Sequence, residues 1–293
     1  EITLKASKQV RGCIKLPGSK SITNRVLLMA ALGSGVTKLI NPLRSEDTDQ
    51  MINALIKLGV SVKEVNDSKT IIEIKGTKHN FPNKNTKLFL GNSGTTFRPL
   101  AATLAMMKGN YYLSGIKRMH ERPIKDLVDA LEQMGSSIQY EKNHGYPPIT
   151  IKNSAIEISG PIQIKGDISS QYLTALLIVG PISNSEFTIE VIGDLISKPY
   201  IDITLKLLTK FNVFYSNDNW RSFSLKKNSV YRNPNEIFVE GDASSASYFF
   251  AAAALAGSIE ITGINKDSIQ GDLKFLNIIS KMGAKIEFKS NSI

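Results

Sequence analysis

Four stretches of the chain place apolar residues at i, i+3, i+4 and i+7 and then switch to strict alternation. They are MINALIKLGVSVKEV from Met51, LVDALEQMGSSIQYE from Leu127, ITLKLLTKFNVFYSN from Ile203 and LNIISKMGAKIEFKS from Leu276. The first period is that of an amphipathic helix, the second that of a strand. At each changeover stands a residue that tolerates left-handed backbone: Gly59, Gly135, Asn212 and Gly283. Each is predicted to cap its helix. The intervals between them are 76, 77 and 71 residues.

A second series runs in phase with the first: GSKSITNR at Gly18, GNSGTTFR at Gly91, GDISSQYL at Gly166 and GDASSASY at Gly241, spaced by 73, 75 and 75 residues. Each loop leads into small and apolar residues, such as NRVLLMAALGSG or SYFFAAAALAGS. The repeat therefore predicts a Gly/Ser/Thr loop, a buried helix, strands, an amphipathic helix, a cap and a strand. One such unit cannot cover the apolar faces of both helices, so the units must share a core. The fold class is α/β, built of α+β repeats.

Composition narrows the picture. The 293 residues are 42% hydrophobic and 21% charged, ordinary for a globular protein of about two domains. No apolar run reaches the roughly 18 residues of a membrane span, and the longest, Tyr248 to Ala256, is half that. Glu1 to Lys5 carry no hydrophobic signal region, so a cytoplasmic protein is expected. The single cysteine, Cys13, fits a reducing compartment, and its strand-like surroundings assign it to packing. The net charge of +10, from 36 basic and 26 acidic residues, invites a nucleic-acid reading. The lysines are scattered, however, and no basic–aromatic platform accompanies them. Neither nucleic acid nor membrane is an expected partner.

Three of the four loops look built for anions. A helix N-terminus offers unpaired N–H groups and a positive dipole end. The first loop adds Lys20, Ser21 and Arg25, with Ser21 and Arg25 one helical turn apart. The second adds Asn92, Ser93, Gly94, Thr95 and Arg98, and Gly94 would let a ligand approach the backbone. The third adds Ser169, Ser170 and Gln171, neutral donors. An N-cap explains any one Ser or Thr; three in-phase loops carrying Lys and Arg favour a ligand. The fourth loop reads as a plain helix start. Arg118 and Arg122 stand before a helix whose first turn Pro123 is expected to occupy. Ser197, Lys198 and Tyr200 precede another helix, with Ser197 either its cap or a substrate contact.

Familiar mechanisms lack their parts. GSKS has no earlier glycine for a P-loop, His79, His120 and His144 have no metal-ligand spacing, and neither a GxSxG elbow nor a GxGxxG turn is present. No metal or cofactor is expected.

The segments LPGSKSITNR, LFLGNSGTTFRPLAA, RMHERPIKDLVDAL, DISSQYLTALL, DLISKPYIDITL and EGDASSASYF, in this order and spacing, resemble the 5-enolpyruvylshikimate-3-phosphate synthase family. The resemblance runs from about residue 4 to the end. It implies a two-domain enolpyruvyl transferase fold, each domain an inside-out α/β barrel of three repeats. It also implies transfer of the enolpyruvyl group of phosphoenolpyruvate to the 5-hydroxyl of shikimate 3-phosphate, without cofactor, by a monomer. By motif, Lys20 would touch both substrates, with Ser21 and Arg25 on the shikimate carboxylate. Ser169, Ser170 and Ser197 would hold the shikimate phosphate near Tyr200, and Gly94, Arg122 and Gln171 would hold phosphoenolpyruvate. Asn92, Thr95 and Arg98 are assigned to shaping the loop. Glyphosate would compete at the phosphoenolpyruvate position.

The resemblance implies one complete domain over 18–237 and part of a second over 1–17 and 238–293. Only four of six repeats are present. The family's catalytic carboxylates belong to the others, so none is named here, and the chain by itself is expected to be inactive. The second loop departs from the family at Ser93, Thr96 and Phe97. The sister family acting on a UDP-amino sugar carries a reactive Cys where Lys117 stands. An RNA-binding repeat protein and a non-catalytic binding half are the remaining alternatives.

Overall fold

All four predicted caps take left-handed backbone in the computed structural model, with φ of 88° at Gly59, 85° at Gly135, 61° at Asn212 and 102° at Gly283. The structure describes residues 9–68, 70–227 and 229–293. The opening Glu1 to Lys5, where no signal region was expected, lies outside the described residues.

The elements follow the repeat. The first copy holds β1 (Val10–Lys15), α1 (Lys20–Leu32), β2 (Val36–Ile40), α2 (Glu46–Lys57), β3 (Ser61–Glu64) and β4 (Ile71–Lys75). The second holds β5 (Asn85–Phe89), α3 (Gly94–Ala105), β6 (Asn110–Ser114), α4 (Lys125–Glu132), β7 (Ser137–Tyr140) and β8 (Ile149–Lys152). The third holds β9 (Ile162–Lys165), α5 (Ser170–Val179), β10 (Phe187–Ile192), α6 (Lys198–Lys210), β11 (Tyr215–Asp218) and β12 (Ser222–Leu225). After these come β13 (Glu236–Phe238), α7 (Ala243–Ala256), β14 (Gly257–Thr262) and α8 (Phe275–Lys281).

The described residues divide into two compact units: Lys20–Phe238, and residues 9–19 together with Val239–Ile293. In the larger unit three four-stranded sheets share one plan. Each begins with a parallel pair, β5 with β6, β9 with β10 and β13 with β2, and continues into an antiparallel hairpin. The hairpins are β8–β7, β12–β11 and β4–β3. The plan conceals an exchange. The strand before the first loop, β1, belongs to the smaller unit, and β13 takes its place beside β2. Asn233 seals that return by donating from Nδ2 to the Ala30 carbonyl at 2.9 Å.

The helices behind the first three loops are the core of the larger unit. Every residue of α1 from Ile22 to Leu32 is buried, as are nearly all of α3 and α5. Phe81, Phe97, Phe187, Phe211 and Phe223 are fully enclosed, each such burial contributing about 1.5–3 kcal/mol. The amphipathic α2, α4 and α6 bury one face each.

In the smaller unit β1 and β14 pair in parallel over a cluster of Leu16, Ala246, Phe250, Ile261, Leu276 and Ile279. Asp242 caps α7, accepting from Ser245 N–H at 2.7 Å. Gln270 ties the loop down, donating to Gly241 O at 2.8 Å and accepting from Ala243 N–H at 3.1 Å.

Four expectations need correction. The fourth helix, α7, is not buried: Tyr248 is 78% and Leu255 86% exposed, because no described element covers that face. Residues 284–289 form no strand, since the hairpin partner found in the other three copies has no counterpart among the described residues. Cys13 is exposed rather than packed, on a two-stranded sheet with that side open. Pro123 stands before α4 rather than in its first turn, which begins at Lys125. Among the described residues no helix is long and apolar enough to cross a membrane.

Candidate functional site

Three helix N-termini of the larger unit carry the loop residues singled out by sequence: α1 begins at Lys20, α3 at Gly94 and α5 at Ser170. Hydrogen bonds link the first two. Asn24 on α1 donates to Thr95 Oγ1 at 2.8 Å. The Lys20 ammonium lies 3.0 Å from Asp47, whose backbone carbonyl accepts from Ser93 Oγ at 3.3 Å and Thr96 Oγ1 at 3.1 Å. Thr95 thus ties the start of α3 to α1. Asp47 is a residue that sequence reasoning missed; it sits in the acidic first turn of α2, where it looks like an ordinary dipole partner.

Arg25 is buried among α1, α5 and α6 without a carboxylate. Nε donates to Thr204 Oγ1 at 2.8 Å, Nη1 to Ser21 O at 2.9 Å, and Nη2 to Thr174 Oγ1 at 3.3 Å and Tyr200 O at 3.2 Å. Four of its five N–H groups are therefore engaged. Burial lowers its pKa to about 10, still fully charged at neutral pH. Asn24, Arg25, Thr95, Gln171 and Thr174 line a crevice of about 20 Å³, room for about one water. The structure thus brings Ser21, Arg25, Tyr200 and Gln171 into one neighbourhood. Neither Thr174 nor Thr204 was flagged by sequence, since a threonine inside a helix carries no signal.

The second cluster lies at the start of α3. Arg122 holds extended backbone, as a residue before proline does, with φ −100° and ψ 119°. Its Nη1 donates to the Asn92 carbonyl at 2.7 Å. A methyl group placed on Gly94 would lie 2.5 Å from Arg122 Nη2 and 2.7 Å from Arg98 Nη1, so both guanidinium groups end over this glycine. The Gly94 and Thr95 N–H groups have no acceptor among the described residues. His120 fixes the segment before Arg122: its Nε2 lies 3.1 Å from Ser114 Oγ and accepts from Gly115 N–H at 3.4 Å.

Ser169 is the N-cap of α5, accepting from Gln171 N–H at 3.2 Å. That bond leaves its hydroxyl proton free to donate. Ser197 precedes α6 in left-handed backbone, φ 55° and ψ 35°, and makes no capping hydrogen bond. A non-glycine residue there is strained, which is common where a side chain is held for a ligand. No side-chain hydrogen bond joins Ser170 or Ser197 to either cluster among the described residues. Nor does any group of three or more His, Cys, Asp or Glu assemble there for a metal ion.

The arrangement concentrates Lys20, Arg25, Arg98 and Arg122 near helix N-termini, with Asp47 the one carboxylate paired to them among the described residues. Such a set binds small polyanions.

Residues 4–293 match the family described as EPSP synthase (3-phosphoshikimate 1-carboxyvinyltransferase). The chain is 50% identical over 292 residues to a 3-phosphoshikimate 1-carboxyvinyltransferase of Bordetella pertussis (strain Tohama I), covering 98% of this chain and 65% of that protein. It thus spans about 65% of the length of the curated relatives it matches. Among solved structures it is similar to an EPSP synthase from Acinetobacter baumannii, with TM-score 0.80, 24% identity, and coverage of 96% of this chain and 61% of that one. The enolpyruvyl transferase NikO from Streptomyces tendae gives TM-score 0.72 at 13% identity, covering 97% of this chain and 65% of that one. Both share their fold with this chain.

Proposed function

The chain belongs to the EPSP synthase family, and from that membership we propose that it carries the substrate-binding share of an enzyme that transfers the enolpyruvyl group of phosphoenolpyruvate to the 5-hydroxyl of shikimate 3-phosphate, and that by itself, without the repeats bearing the catalytic carboxylates, it does not turn over. The 5-oxygen bonds to C2 of the enol, C3 takes a proton, and the tetrahedral adduct then loses phosphate and a proton to restore the double bond. Such chemistry needs a positioned acid and base, and fixing both reactants can supply up to roughly 7–11 kcal/mol of the barrier reduction. The product serves aromatic amino acid biosynthesis.

The observation that carries this reading is the convergence of four cations on the N-termini of α1 and α3 beside a third helix start at α5. Two polyanionic substrates repel one another in water, and a basic site removes that barrier. Lys20 then touches both substrates, released from Asp47 as the anions arrive. Ser21 and Arg25 hold the shikimate carboxylate, Arg25 through the N–H left on Nη1. Ser169, Ser170 and Ser197 hold the shikimate phosphate, with Tyr200 beside them. Gly94, Arg122 and Gln171 take phosphoenolpyruvate, where glyphosate would compete. The reading includes a cytoplasmic location, which a single, free cysteine suits, and a monomer.

Titration of shikimate 3-phosphate into the chain by calorimetry tests the reading. Saturable binding that disappears in Lys20→Ala and Ser21→Ala, with both variants folded by circular dichroism, supports it. Tight RNA binding with no response to shikimate 3-phosphate overturns it.

A further inference from the structure

Arg98 was assigned to shaping the second loop, and that role accounts for only part of its guanidinium. The residue is 4% exposed. Nη2 donates to the Pro123 carbonyl at 3.0 Å, and the Tyr172 hydroxyl donates to the same oxygen at 2.7 Å, which sets the guanidinium plane. Nη1 is buried and has no hydrogen-bond partner. It points to the space over Gly94, where Arg122 Nη2 also ends. The two nitrogens are no farther apart than the sum of their distances to the methyl position on Gly94.

A buried donor without an acceptor is costly, and two guanidinium groups facing one another repel. No carboxylate of the described residues is paired with either. Burial first, then Arg122, lowers the Arg98 pKa to about 10. An anion seated over Gly94 would satisfy the free Nη1–H, turn the repulsion into attraction and accept from the Gly94 and Thr95 N–H groups. A carboxylate has two oxygens to share among these donors, whereas a phosphoryl group has three and a second negative charge.

We propose that Arg98 is a direct ligand and specificity determinant for the phosphoryl dianion of the substrate bound at Gly94 and Arg122, its Nη1–H donating to a phosphoryl oxygen. The proposal rests on the phosphoenolpyruvate reading of that cluster and adds a second guanidinium to it. It leaves Nη2 where it is, on Pro123.

The test is a titration of the chain, ¹⁵N-labelled at its arginine side chains, with inorganic phosphate and separately with acetate at matched ionic strength. The expected result is that Arg98 and Arg122 guanidinium resonances shift along one saturation curve with phosphate and far less with acetate. Arg98→Lys should weaken phosphate binding by about tenfold or more while keeping the ligand-free melting temperature. Arg122 signals that shift while those of Arg98 stay fixed overturn the proposal and leave the anion reading of the cluster standing. Equal responses to acetate overturn the phosphoryl preference. Fixed signals for both residues, with Arg122→Lys binding phosphate like the native chain, overturn the proposal and the reading together. Should Arg98→Lys fail to fold, the native chain's resonances decide alone.

Discussion

Gly94→Ala separates what the second loop does for the fold from what it does for a ligand. Gly94 opens α3 without a positive φ, so alanine is allowed there. A glycine-to-alanine change at a compatible position stabilises by about 0.4–1 kcal/mol, through the unfolded chain. The new methyl would meet Arg122 Nη2 at 2.5 Å and Arg98 Nη1 at 2.7 Å. Ordinary contact is about 3.5–4.0 Å, so each nitrogen must retreat by roughly 1 Å. Both are the ends of long side chains, and they will swing before the helix deforms. For Arg122 the swing works against its 2.7 Å bond to Asn92 O. Losing one charge-assisted hydrogen bond to the anion costs about 1.5–3 kcal/mol, or roughly tenfold to a hundredfold in Kd. The assay is calorimetric titration of inorganic phosphate and phosphoenolpyruvate, with thermal melting of the free chain alongside. The melting temperature should hold or rise by a few degrees while both anions weaken. Native affinity in the variant would refute the placement of the anion over Gly94. A clear fall in the ligand-free melting temperature would refute the claim that the side chains absorb the clash.

Burial holds His79 and His120 below the ordinary histidine pKa, with Lys142 adding to the effect at His120. The unfolded chain then takes up protons first as pH falls below about 6.5, so stability present above that value is lost through the lower folded pKa values. Melting between about pH 8 and pH 5 should show this loss, and His79→Asn with His120→Asn should flatten it; an unchanged slope would count against the assignment. Gln270→Leu strands Gly241 O and Ala243 N–H and should cost about 2–4 kcal/mol in the smaller unit, read by urea unfolding of Val239–Ile293 through exchange of its amides. Asn212→Gly relieves a left-handed position at φ 61° and should raise the urea midpoint slightly, by a few tenths to about 1 kcal/mol of stability. A lower midpoint would mean that the Asn212 side chain matters more than its backbone.

What the sequence displayed and what it hid divide along the reach of the interactions. The caps at Gly59, Gly135, Asn212 and Gly283 were legible because a helix stop is decided within one turn. The starts of α1, α3 and α5 were legible for the same reason. The exchange of β1 and β13 was not legible in the hydrophobic pattern, because a strand's partner is chosen across more than 200 residues, and only the family resemblance put residues 1–17 with 238–293. Cys13 and the outer face of α7 were misjudged because an apolar pattern shows which side wants cover without showing what covers it.

The site divides in the same way, and its two buried arginines show why. Sequence places a cation near a helix start but does not count the N–H groups it has left. Arg25 was read as a ligand, and bonds to residues up to 179 positions away take four of its donors for joining α1 to α5 and α6. Arg98 was read as scaffold, and the structure leaves its Nη1 without a partner over Gly94. Both guanidinium groups are buried without a carboxylate, so each lowers the stability of the free protein by the cost of desolvating a charge. An arriving anion recovers most of that cost where donors remain free, and Arg98 has its whole Nη1 free where Arg25 has a single N–H. The free donor, rather than the charge or its place in a motif, is the quantity that decides where a phosphoryl group binds most tightly, and it becomes countable only once the distant acceptors are in place.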